Sequence, residues 1–289
     1  MRKEIKGLRL DEERALYHTC HADVTDCVFA GPADGESALK ESADLAVRDC
    51  RFSLRYPLWH TRDLTLERVT MDATARAALW YVENGAIRDC ALGGIKALRE
   101  CRGVSLARCT VDSPEFGWKC SEIRVTDSTL TAEYLFLDSR ALTLRDSRVN
   151  GKYAFQYVNG LEIDDCELNT KDAFWHSTGV TVRGSVIRGE YLGWYSKGLT
   201  LIGCKIIGTQ PLCYCSDLRL IDCELQDADL AFEYSDVQAD LRGRIDSVKN
   251  PRSGRIVADE IGELIRADAV MPCNADIVLR GGTGAEVKA

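Results

Sequence analysis

The sequence predicts an all-β fold, a single-stranded parallel β-helix of about twelve coils of 19 residues. Three observations carry this. One short phrase recurs at fixed spacing, apolar residues alternate within each copy, and the aligned copies repeat residue types column by column.

The recurring phrase runs TDCVF, RDCRF, ERVTM, RDCAL and onward to IDCEL. Its central residue occupies Cys27, Cys50, Val69, Cys90, Cys109, Ser128, Ser147, Cys166, Ser185, Cys204 and Cys223. From Cys90 every spacing is 19 residues, and the earlier steps of 23, 19 and 21 fit two turns with short insertions. Sustained self-similarity of this length marks a solenoid.

Before each phrase stands a period-two pattern, such as Leu161-Glu162-Ile163 or Leu199-Thr200-Leu201. Alternation of apolar with polar residues is the pattern of a strand, and no helical stripe of apolar residues persists anywhere. Short strands repeated at this period pair with their copies in the next coil, about 4.8 Å away. The residue before the anchor is Asp at 26, 49, 89, 127, 146, 165 and 222 and Gly at 184 and 203, as a tight corner requires.

Seven of the thirteen cysteines fall in the anchor column. Cys101, Cys120 and Cys215 share a second column with Ser139, Ser177 and Ser196. Both columns read as small interior fillers, not as metal ligands or nucleophiles. No CxxC pair is present, and the CxC at Cys213 and Cys215 is weak evidence for a metal, so no metal is expected. Stacked thiols fit a reducing compartment. The N-terminal MRKEIKGLRLDEERALYH is charged where a signal peptide needs an apolar core, so the expected location is the cytoplasm.

Net charge is −8, with no Lys/Arg cluster, which argues against nucleic-acid binding. No apolar run is long enough to span a membrane. Nucleotide loops, GxSxG and HExxH are absent, so no cofactor is expected. The β-helix is expected over residues 1–266, with a cap over about 1–13, final capping strands over about 237–266 around Asn250-Pro251, and an irregular tail over 267–289.

The segment preceding each new coil is the richest. Its second column is apolar throughout, from Ala15 and Ala38 to Pro211 and Leu230. Its fourth holds all five tryptophans, Trp59, Trp80, Trp118, Trp175 and Trp194, together with Lys40, Arg99 and Gln156. Its fifth holds His18, His60 and His176 with five formal charges, which burial would strand, so it is expected to face solvent. Strand side chains alternate, so column four faces inward and columns one, three and five face outward, unless a bulge reverses the alternation and exposes the tryptophans. The exposed stack would include Phe136, Phe155 and Phe174. The candidate binding face is Asp138, Tyr153, Phe155, Tyr157, Asp172, Phe174, His176, Tyr191, Tyr195 and Tyr214.

The phrases YLGWYSKGLTLIGCKIIGTQPLCYCSDLRLIDCEL and KDAFWHS resemble the bacterial domain of unknown function 3737 family, and the resemblance covers most of residues 1–266. It implies a right-handed parallel β-helix shaped like the pectate lyases. It implies no activity, since one fold serves many functions.

Two functional readings follow. Tyr rings beside an apolar column suit an oligosaccharide, and an enzyme on this face would be a carbohydrate-active hydrolase or lyase. The same face would equally suit a protein partner or a second copy of the chain, as a homodimer. The residues point to no catalytic set. Asp172 and His176 lie too far apart along one strand, Asp164-Asp165 belongs to the corner pattern, and Lys119 stands between Glu100 and Asp138, the pair that would serve an inverting glycosidase.

Overall fold

A computed structural model describes residues 2–280 and 286–288. The chain falls into two compact units, Met1–Asn150 and Gly151–Ala289. Among the described residues there is no α-helix, and one 3-10 turn spans Ala73–Ala75.

In the first unit the strands Cys20–Thr25, Ala43–Arg48, Arg62–Glu67 and Glu83–Arg88 pair in parallel, each with the next, so that Ala22, Leu45, Leu64 and Gly85 lie in one row. In the second, Leu161 lies opposite Val180 and Val182 opposite Leu201, as the sequence spacing requires. Apolar alternation and backbone pairing thus agree, and the result is a parallel β-solenoid.

It has about 15 turns rather than twelve. The extra turns lie at the ends. Lys3–Lys6 pairs with Cys20–Thr25, and Arg9–Leu10 pairs with Val28–Phe29, so the expected cap is itself a turn. Asp236–Arg242, Ser253–Ala258 and Asp276–Leu279 also stack in succession. Part of the expected tail is therefore a paired strand; its residues 281–285 and 289 lie outside the described residues. Strand pairing needs only backbone and an apolar face, so turns lacking the Cys/Ser phrase escape a count based on it.

The corner column is left-handed. Asp49, Asp89, Asp165 and Asp222 take φ of 53°, 55°, 53° and 53°. Short polar side chains tolerate this conformation best after glycine.

The anchor column does more than fill space. The N–H of Cys27 donates to Cys50 Sγ at 3.3 Å, that of Cys109 to Ser128 Oγ at 3.0 Å, and that of Cys166 to Ser185 Oγ at 3.0 Å. The anchor side chain in turn donates to the carbonyl two residues back, as Ser185 does to Arg183 at 2.8 Å. At these corners the backbone N–H turns toward the interior, and the next coil's Cys or Ser accepts from it. Burial raises the thiols of Cys50 and Cys213 to about 12 and that of Cys215 to about 11, which leaves them inert as nucleophiles.

Candidate functional site

The aromatic segments are not strands. In the second unit Asp172, Phe174 and His176 have φ of 51°, 63° and 53°, and Tyr191 and Tyr195 have 57° and 59°. Every second residue is left-handed, so the two-fold alternation of side chains does not apply.

This overturns the expected orientation of two columns. Phe155 and Phe174, expected outside, are fully buried and stack at 5.6 Å. Phe136 is likewise buried, edge-on to Phe116 at 5.7 Å, as is Leu212. The tryptophans, expected inside, are half-buried at the surface. Their neighbours show it: the Arg99 guanidinium sits 5.2 Å from the Trp80 ring and 5.1 Å from that of Trp118. Lys40, Arg99 and Gln156 in the same column were the signal of this exposure, since a long cationic chain reaches water.

Column five does face solvent. Tyr157, His176, Tyr195 and Tyr214 form a ladder of parallel rings, with centroids 5.0, 4.9 and 4.8 Å apart and planes within 13°. Tyr157 is 54% and Tyr195 45% exposed, whereas Tyr214 is half-buried and burial raises its phenol. Stacked rings occupy one another's faces. They present edges, with hydroxyls and imidazole nitrogens at the coil spacing.

Trp175 and Trp194 flank the ladder, stacked at 5.5 Å. Each indole N–H donates to a carbonyl of the next coil, Trp175 to Tyr191 at 2.7 Å and Trp194 to Gln210 at 2.8 Å. Tyr191 packs edge-on against Trp194 at 5.4 Å and lies under Lys171 Nζ at 5.1 Å. Lys171 also pairs with Glu190 at 2.9 Å. Of the predicted face, then, the structure brings Tyr157, His176, Tyr195 and Tyr214 together outside, with Tyr153 and Tyr191 half-buried. Phe155 and Phe174 go to the core. Asp138 is exposed and belongs to the first unit.

Asp172, also expected outside, is 7% exposed, and its Oδ1 has no hydrogen-bond partner among the described residues. Burial raises its carboxyl above the usual 3.8, against the opposing pull of Lys171. A raised acid favours the fold when protonated and loses that contribution as pH climbs through the folded-state value. Asp172→Asn is therefore expected to raise the melting temperature at pH 7. The gain should shrink as pH falls toward 3.8. Thermal melts of both proteins from about pH 3 to about pH 8, spanning the carboxylate range and neutrality, check it; a lower melting temperature for the variant at pH 7 would refute it.

Among the described residues no cluster of His, Cys, Asp and Glu is arranged to hold a metal, and no helix is long and apolar enough to cross a membrane. No curated protein matches the chain. Among solved structures it is similar to the A-module of the Azotobacter vinelandii mannuronan C-5 epimerase AlgE4. That similarity is 13% identity over 83% of this chain and 89% of the other, with a TM-score of 0.35. A GH87 α-1,3-glucanase catalytic domain shows 8% identity over 89% and 61%, with a TM-score of 0.29. QnrB1, a plasmid-mediated fluoroquinolone resistance protein, shows 12% over 83% and 92%, with a TM-score of 0.18. The coil-by-coil columns that build this site run through residues 3–278, which match the model of the protein family of unknown function DUF3737, and the chain belongs to that family.

Proposed function

We propose that the second unit binds an extended polyhydroxylated chain, an oligosaccharide, along the ladder Tyr157–His176–Tyr195–Tyr214. The observation that carries this is the regular spacing of the ladder, 4.8 to 5.0 Å between rings. Its exposed edges repeat hydrogen-bonding groups at one interval, which suits a polymer whose own hydroxyls repeat. Burial of Phe155 and Phe174 takes away the apolar patch that favoured docking of a protein or a second copy. Binding, not turnover, is the reading we adopt: Asp172 is buried and Asp164 Oδ1 pairs with Arg183 at 3.1 Å. Eleven buried free cysteines support a reducing, cytoplasmic setting for this activity.

Calorimetric titration of the full chain with a panel of neutral and acidic oligosaccharides tests the proposal. His176→Ala and Tyr195→Ala should each weaken the ligand found by about tenfold, with melting temperatures near wild type because both side chains are exposed. If no oligosaccharide binds, or both variants bind like wild type, the reading fails. A concentration-dependent dimer in light scattering, abolished by the same substitutions, would instead assign the ladder to self-association.

A further inference from the structure

The ladder of the second unit has a fifth rung, and the chain itself covers it. Tyr234 follows Tyr214 in the same column, at φ 53° against 60°. Its ring lies 5.7 Å from that of Tyr214, tilted by 39°. Exposure falls along the column, from 54% at Tyr157 and 45% at Tyr195 to 8% at Tyr234. The Tyr234 hydroxyl, the group that the other tyrosines hold out to solvent, accepts the Val270 N–H at 3.3 Å.

Hydrogen bonds fix where the covering segment, residues 267–274, belongs in the solenoid. Trp175 and Trp194 each donate to the carbonyl 16 residues on, where the next coil's aromatic segment begins. In the coil after Tyr234 the tryptophan's place is taken by Asn250. The Tyr234 N–H bonds to Asn250 O at 3.0 Å, just as the His176 N–H bonds to Trp194 O. Asn250 Nδ2 in turn donates to Ala267 O at 2.8 Å. Residues 267–274 therefore stand where a further aromatic segment would begin, but they contain no aromatic residue, and the intervening coil offers only Asn250-Pro251.

The segment instead bulges outward and reaches back to Tyr234. Arg266 ties its far end, donating to Cys273 O at 2.9 Å and Ala275 O at 3.1 Å, and the Asn274 N–H returns to Arg252 O at 2.8 Å. Between these ties Val270 is 82% and Met271 39% exposed. A residue whose N–H meets the Tyr234 hydroxyl while its side chain stands in water rises above the ring edges and does not lie flush with them.

On the oligosaccharide reading of the ladder, we infer that this loop is an end-stop: the site takes the terminus of a chain, not an internal stretch. A chain laid along the ring edges meets the loop one rung beyond Tyr214, so one of its ends must lie there. One sugar unit per rung gives a four-unit site over Tyr157, His176, Tyr195 and Tyr214. Val270 N–H holds at the fifth rung the place that a sugar hydroxyl would hold at the others.

Maltooligosaccharides and oligogalacturonates, each as a tetramer and as a longer chain, test this by calorimetric titration of the full protein. A chain of about 20 units offers roughly 17 internal registers to a four-unit site but only one terminus of the right kind. An internal site would bind it about 17-fold more tightly per molecule than the tetramer and load several proteins on each chain. The end-stop should bind both within about twofold, at one protein per chain. Tyr234→Phe combined with Arg266→Ala removes the loop's bond to the rung and its tie, and faster hydrogen exchange at the Val270 amide reports its release. The released ladder should acquire the dependence on length. A rise of affinity or loading with length in the wild type, or no such rise in a variant whose Val270 amide exchanges freely, would overturn the end-stop while tetramer binding persists. Binding of neither series would instead overturn the oligosaccharide reading and the end-stop with it.

Discussion

Phe174→Ala is expected to destabilise the second unit by about 3–5 kcal/mol, the usual cost of removing a buried aromatic ring. The ring is fully buried and stacked on Phe155 at 5.6 Å, and the Phe174 N–H bonds to Ala154 O at 3.0 Å, which fixes the backbone on either side of the cavity left behind. Collapse into that cavity is therefore restricted. A fall in melting temperature of roughly 10 °C follows. Phe174→Leu, which keeps most of the volume, should cost far less. The experiment separates two structures: an outward Phe174, as plain strand alternation requires, would make the alanine variant neutral within about 0.5 kcal/mol. Thermal or urea melts of wild type and both variants decide between them.

Gly189→Ala is expected to be comparably severe for a different reason. The residue sits at φ 149°, and a Cβ there would lie 1.8 Å from the Thr170 carbonyl oxygen of the preceding coil. The backbone is held on both sides, since Asn169 pairs with Arg188 and the Gly189 N–H bonds to Ile207 O at 2.9 Å. Backbone strain and steric displacement together come to about 3 kcal/mol or more. Gly203→Ala provides the control. It has φ 58° with nothing within 4 Å of the added Cβ, so it carries only the left-handed cost of about 1–2 kcal/mol. Equal melting temperatures for the two variants would show that the coils do not approach one another as described.

Much of this is legible in the sequence. The interval between Cys166, Ser185 and Cys204 specifies which residues pair across coils, because parallel strands with one buried face tolerate no slip of register. Asp165 and Asp222 announce left-handed corners, because few other side chains accept that backbone. The Cys and Ser of the anchor column were readable as small and interior. Their second role, accepting the N–H of the previous coil, was not, since it depends on where the corner aims that donor.

The aromatic segment was misread in part for a related reason. Alternating columns were assigned to opposite faces on the premise of extended backbone, and residues such as Phe174 and His176 are instead left-handed at every second position. Non-glycine side chains avoid this conformation in isolation, so composition gives no warning of it. The presence of Arg99 and Gln156 among the tryptophans was the one hint that column four reaches the surface.

What sequence alone determined is the solenoid, its pairing register and its corners, because these follow from a period repeated many times over. Tertiary structure decided which aromatic rings face water. That choice rests on φ angles imposed by hydrogen bonds to the neighbouring coils, and such bonds exist only once the coils are stacked.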